Sequence, residues 1–209
     1  NAIEPKPAHT KPKKGPTRLA YISTPHRGLD VLIAAFRAAK LENVELDVYS
    51  SFKIYGWEDK DKDFEPLYNA CRETPNVNYH GSVSNEEIRT ALQQTHILAY
   101  PSVYKETACI SAIEAMSAGC VVVCPNLAVL PETCANFAWM YGYCEDKSEH
   151  ARKFAYVLKD AIDNFWNPPV QAGLGFQKQY FDMHYDIDTI AKQWTLMLET
   201  IKSNLEKKS

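Results

Sequence analysis

YKETACISAIEAMSAGCVVV, residues 104–123, is the stretch on which the fold is decided. It follows the short apolar run Ile97-Leu98-Ala99-Tyr100-Pro101, which reads as a strand leading into a polar turn. Ile110, Ile113, Met116 and Ala118 then recur at helical spacing until Gly119 breaks the pattern, and the valines from 121 to 123 begin another strand. Strand, loop, helix and strand in that order form the unit in which ligands collect at the carboxyl ends of parallel strands.

Two glutamates bracket the start of that helix. Glu106 precedes it, beside Thr107, Ala108, Cys109 and Ile110, whose backbone N–H groups would have no partner within the helix and would face an anion or a sugar oxygen. Glu114 falls about a turn and a half into the helix, since an α-helix has about 3.6 residues per turn, and looks along the same crevice from deeper inside. One carboxylate can then accept hydrogen bonds from sugar hydroxyls and the other from a ribose diol, with a diphosphate at the helix N-terminus between them.

Working outward, strand patterns fall at 19–23, 44–51, 77–79, 97–100, 120–124 and 138–143. Helical patterns fall at 29–40, 64–73, 85–94, 109–118 and 131–134, and then at 149–165, 170–183 and 188–202. Strict alternation of the two types predicts an α/β fold, a Rossmann-like parallel sheet flanked by helices. In the last helix Ile190, Trp194, Met197, Leu198 and Ile201 form an apolar stripe, made either for this domain's own sheet or for a partner.

Composition narrows the function classes. The 209 residues are 45% apolar, enough for a sizeable core, and the net charge of −3 gives no reason to expect nucleic acid. No run approaches the roughly 20 apolar residues of a membrane span, and no signal-peptide pattern opens the sequence. Six cysteines contain no C-x-x-C pair and read as buried free thiols, which together with the missing signal suits a cytoplasmic protein. Residues 1–16, with Pro5, Pro7, Pro12 and Pro16, read as an incoming linker. Lys11, Lys13 and Lys14 within it read as solvated, a membrane-surface or partner contact being the alternative. The domain proper then spans 17–209.

ETACISAIEAMSAG followed by VVVCPNLAVLPET resembles the E-x7-E donor-site signature of retaining GT-B glycosyltransferases of the family 4-like group 1. RLAYISTPHRGLDVLIAAF resembles that group's first strand, phosphate loop and first helix, and PNVNYHGSVSNEEIRTALQQTHILAYPS its middle stretch. The resemblance runs from about Thr17 to the final helix and implies the C-terminal, donor-binding half of a GT-B fold, preceded by a missing N-terminal acceptor-binding domain. It implies transfer of a sugar from a nucleoside diphosphate sugar to a glycan, lipid or protein acceptor with retention of configuration, with no cofactor and no essential metal.

By the same resemblance Arg27 stands where the family's phosphate-loop lysine usually stands, and Arg27 with Glu106 would carry the catalytic role. A second matching cation is missing from the short loop after the first strand; His26 is a poor substitute unless protonated, and Lys53 is the nearest alternative. His80, Gly81 and Val83 would line the nucleobase. Glu132 matches another recurring glutamate and reads as a structural residue at a helix start. Two other functions compete: half of a nucleotide-sugar epimerase, and a non-catalytic nucleotide-sugar binding module. A dinucleotide oxidoreductase is excluded because no G-x-G-x-x-G follows the first strand.

Overall fold

A computed structural model describes residues 1–7 and 10–206. Positions 8 and 9, within the expected linker, and 207–209, at the end of the expected domain, lie outside the described residues.

The chain alternates β1 (Thr17–Ile22), α1 (Leu29–Ala39), β2 (Val44–Tyr49), α2 (Glu65–Glu73), β3 (Val77–Tyr79), α3 (Asn85–Gln94), β4 (Ile97–Ala99), α4 (Ile110–Ser117), β5 (Val121–Asn126), α5 (Leu130–Thr133) and β6 (Trp139–Gly142). Three helices complete it: α6 (Lys147–Asn164), α7 (Pro168–Tyr185) and α8 (Ile187–Glu206). The six strands form one sheet in the order β3-β2-β1-β4-β5-β6. Every pairing is parallel, with Leu19 opposite Leu46 on β2 and Ile97 on β4.

Parallel neighbours need crossovers, and α1 to α4 supply them; α1 lies between α2 and α6, α4 between α3 and α7. Both faces of the sheet are therefore covered. That is why β4 and most of β5 are apolar without alternation and fully buried, whereas edge strand β3 is buried at Val77 alone. Strand order reverses between β1 and β4, and a crevice opens at the carboxyl ends of those two strands.

Local chemistry sets the helix ends. Ser84 and Glu87 form a reciprocal capping box at the start of α3. Gly119, at φ 73°, stops α4 in the left-handed conformation that a glycine adopts most readily. Gly28, at φ 118°, turns the chain from β1 into α1, and a Cβ there would stand 2.2 Å from the Pro101 carbonyl oxygen. The β1 and β4 loops thus meet backbone to backbone.

One expectation changes. Lys11 is not a solvated linker residue: it is buried, its Nζ donates to the Leu92 carbonyl at 2.6 Å and lies 3.5 Å from Cys120 Sγ. The same segment buries Ile3, which exchanges backbone hydrogen bonds with Tyr185 and Ile187, and Pro12 accepts from the ring of His96 at 2.8 Å. Of the two readings of the apolar stripe on α8, packing on its own sheet is not seen; none of the helix's described residues is buried, and Trp194 is 58% exposed. Between β2 and α2, for which the sequence pattern gave no element, residues 52–64 are 3-10 turns organised by Asp61, whose carboxylate accepts from the Ser51 hydroxyl, the Phe52 N–H and the Tyr68 hydroxyl. The cysteines are free thiols as expected, and all but Cys144 are buried. No helix among the described residues is long and apolar enough to cross a membrane.

Candidate functional site

A cavity of about 350 Å³ opens at the carboxyl ends of β1 and β4, the reversal point of the sheet. Its walls come from the β1 loop, the turns after β2, the start of α3 and the entrance of α4. Ser111 fixes that entrance to the sheet by donating its hydroxyl to the Ile22 carbonyl at 2.9 Å.

Arg27 and Glu106 meet inside it. Arg27 Nη1 donates to both carboxylate oxygens of Glu106 at 2.7 and 2.8 Å, and the Tyr100 hydroxyl donates to the same carboxylate at 2.5 Å. The Glu106 side chain is 3% exposed, so a charge removed from water is compensated by a cation and a phenol at once. Burial pulls Arg27 down, but Glu106 and Tyr100 outweigh it and hold the guanidinium above its ordinary value. Tyr100 is pushed far up by burial, then by Cys109 and Glu106 nearby, which keeps it a donor. The Tyr104 ring covers Arg27 at 4.8 Å. His26 cannot supply a second cation, because burial and then Arg27 lower it below its ordinary value; it stacks on Phe52 instead.

Around this pair, polar groups stand without protein partners. Thr24 Oγ1, Ser50 Oγ and Arg27 Nε are buried and unpartnered among the described residues, and all three residues line the cavity. Buried polar atoms are nearly always hydrogen-bonded, so three orphans on one cavity mark a place for a polar ligand. The α4 entrance adds backbone N–H groups at Thr107, Ala108, Cys109 and Ile110, which also line it. The Cys109 thiol is pushed up to about 12, chiefly by burial, so it contributes as a neutral wall.

Glu114 lines the inner wall and faces Arg89 Nε at 3.6 Å. Burial raises its carboxyl above the usual range while Arg89 pulls it back. Gly81 and Val83 also line the cavity, with Ile54 and Tyr55.

Two expected ligands stand elsewhere. Lys53 points away from the cavity, 66% exposed, with its amine 3.9 Å from Glu58, because the 3-10 turn that Ser51 caps carries it outward. His80 is held off by Asp47, 2.8 Å from its Nε2, and by stacking on Tyr49. Glu132 is exposed on α5. The sequence reading passed over Thr24, Ser50, Tyr100, Tyr104 and Arg89. A tyrosine ending a strand and an arginine on a charged helix carry no local signal, and the orphaned hydroxyls emerge only when two loops meet.

No curated protein matches the sequence. Among solved structures, sucrose-phosphate synthase from Thermosynechococcus elongatus superposes with a TM-score of 0.71 at 19% identity, over 92% of this chain and 47% of that one. A glycosyltransferase from Rickettsia africae ESF-5 gives 0.70 at 13% identity, over 92% and 49%. Anabaena HepE, solved with UDP and glucose, gives 0.68 at 17% identity, over 89% and 49%. The chain thus spans about half the length of these structures, matching a Rossmann-like half of their GT-B fold. The family model for glycosyl transferases group 1 matches residues 5–166, from the opening segment through the crevice to just past the end of α6. By that match, over most of its length, the chain belongs to the group 1 glycosyl transferases.

Proposed function

We propose that the chain is the donor-binding half of a retaining glycosyltransferase that takes a nucleoside diphosphate sugar. The observation that carries this reading is that Thr24, Ser50 and Arg27, each with a buried polar atom lacking a partner among the described residues, line one cavity with the entrance of α4 at the sheet's reversal point. A diphosphate is rich in acceptor oxygens and suits that set of donors. Glu114 then accepts from the ribose diol, Gly81 and Val83 flank the base, and Glu106 lies on the side where the sugar hydroxyls would come. As the glycosidic bond to the diphosphate breaks, negative charge grows on the leaving group, and Arg27 with the helix N-terminus offsets it. HepE's complex with UDP makes UDP the first nucleotide to try.

Donor binding needs groups within this chain; transfer also needs an acceptor surface and exclusion of water, and positioning accounts for about 7–11 kcal/mol of such barriers. The test is calorimetric titration and thermal shift with UDP, GDP and ADP sugars, followed by an acceptor-dependent transfer assay with and without an acceptor-binding half. Donor-induced stabilisation by the 209-residue chain, with transfer restored only in the longer protein, is the expected result. Absence of binding to any nucleotide sugar rejects the reading.

A further inference from the structure

We infer that Arg89 positions the Glu114 carboxylate for the ribose diol and couples it to the opening segment of the chain, an inference that rests on the donor-site reading above. Arg89, on α3, stands among three carboxylates: Nη1 is 3.1 Å from Glu4 and 3.8 Å from Glu86, and Nε is 3.6 Å from Glu114. Its side chain is 24% exposed and that of Glu114 18%, so neither is freely solvated.

The other charged groups around Glu114 are committed. On the cavity side Arg27 is bound to Glu106. On the opening segment Lys6 lies 3.6 Å from Glu86, and on α7 Lys178 is paired with Asp182, which also takes the Ser117 hydroxyl. Arg89 is therefore the cation that meets Glu114, and its planar fork is what allows one face toward Glu114 and another toward Glu4. Two effects follow. The positive charge keeps a half-buried carboxylate ionised, and only the ionised form offers both oxygens to a diol. The fork also fixes where those oxygens sit, and it is itself held by Glu4, ahead of the first strand.

The experiment measures affinity for UDP and GDP, and for the 2′,3′-dideoxy form of whichever the wild type binds more tightly, from acid to neutral pH. In Arg89→Gln, affinity for the ribonucleotide should fall about tenfold, the scale of a charged hydrogen bond, while the dideoxynucleotide changes by less than about twofold. The acid limb of the binding profile should also move to higher pH, because Glu114 loses the charge that pulls its proton off. Arg89→Lys, which keeps the charge without the fork, should hold the acid limb in place and lose about threefold, again for the ribonucleotide alone. If Arg89→Gln fails to fold, that diol-dependent loss in Arg89→Lys decides. Equal losses for both nucleotides, or none while the wild type binds, overturn the role of Arg89 and leave the donor site standing. A wild type that binds neither UDP nor GDP overturns both.

Discussion

Glu106 and Glu114 belong to one cavity and one helix entrance, yet the first is held by three short hydrogen bonds from Arg27 and Tyr100 and the second faces a shared cation at 3.6 Å. The difference comes from where the partners sit. Arg27 lies in the turn after β1 and Tyr100 just past β4, the two central strands, whose mutual placement is fixed by the sheet and by the approach of Gly28 to Pro101. Arg89 lies on a peripheral helix and divides itself among three carboxylates. Glu106 is thus part of what holds the loops together, whereas Glu114 keeps acceptor capacity in reserve.

The sharpest way to break that contrast is to attack the support of the first region. Gly28→Ala places a Cβ against the Pro101 backbone in a conformation that alanine rarely adopts, and should cost about 3–5 kcal/mol in denaturant unfolding. A loss under about 1 kcal/mol would mean that the loops are free to part and that the Arg27–Glu106 geometry is not set by them.

Next in size is the pair of isosteric changes. Glu106→Gln leaves the Arg27 guanidinium without its counter-charge and should destabilise by about 2–4 kcal/mol; Glu114→Gln removes a charge that is costly to bury and should change stability by less than about 1 kcal/mol. Similar midpoint shifts for the two variants would erase the distinction.

Arg27→Ala examines the ligand side. Affinity for a nucleoside diphosphate should drop by about 1.5–3 kcal/mol while that for the nucleoside stays near wild type, as calorimetry can establish. Parallel losses would show that Arg27 shapes the cavity rather than binding phosphate.

The smallest effect is a pH slope. Burial raises Glu114 in the folded protein above its unfolded value, so the folded state binds more protons between the two. Stability should therefore fall as pH rises from the ordinary carboxylate range through that raised value, and then level off. Glu114→Gln should flatten this slope in melting curves across the acid range; an unchanged slope would assign it to another group.

Much of the fold was legible because strand and helix periods alternate along the chain, and the switch from one period to the other located nearly every element within two or three residues. That Glu106, Glu114 and the Arg27 loop would face one crevice was legible because each follows a strand of the alternating pattern, whereas the E-x7-E signature and the role given to Arg27 came from the family resemblance. Residues 52–64 were not, because their order comes from Asp61 reaching back to Ser51 and forward to Tyr68, not from periodicity. Lys53 and His80 misled through adjacency: each follows a strand that reaches the cavity, but local hydrogen bonds and stacking turn the side chains away. The Arg27–Glu106 contact joins residues 79 positions apart, and neither residue type announces the other.

Ile3 receives a hydrogen bond from Ile187 and gives one to Tyr185, straddling the joint between α7 and α8. Tension drawn along the opening segment would load these two bonds together and would reach Arg89 through Glu4, while the terminal helix would be dragged with it as a lever. In mechanical terms the joint is a clasp. Slack at Ile3 would loosen both of its bonds to the α7–α8 joint at once.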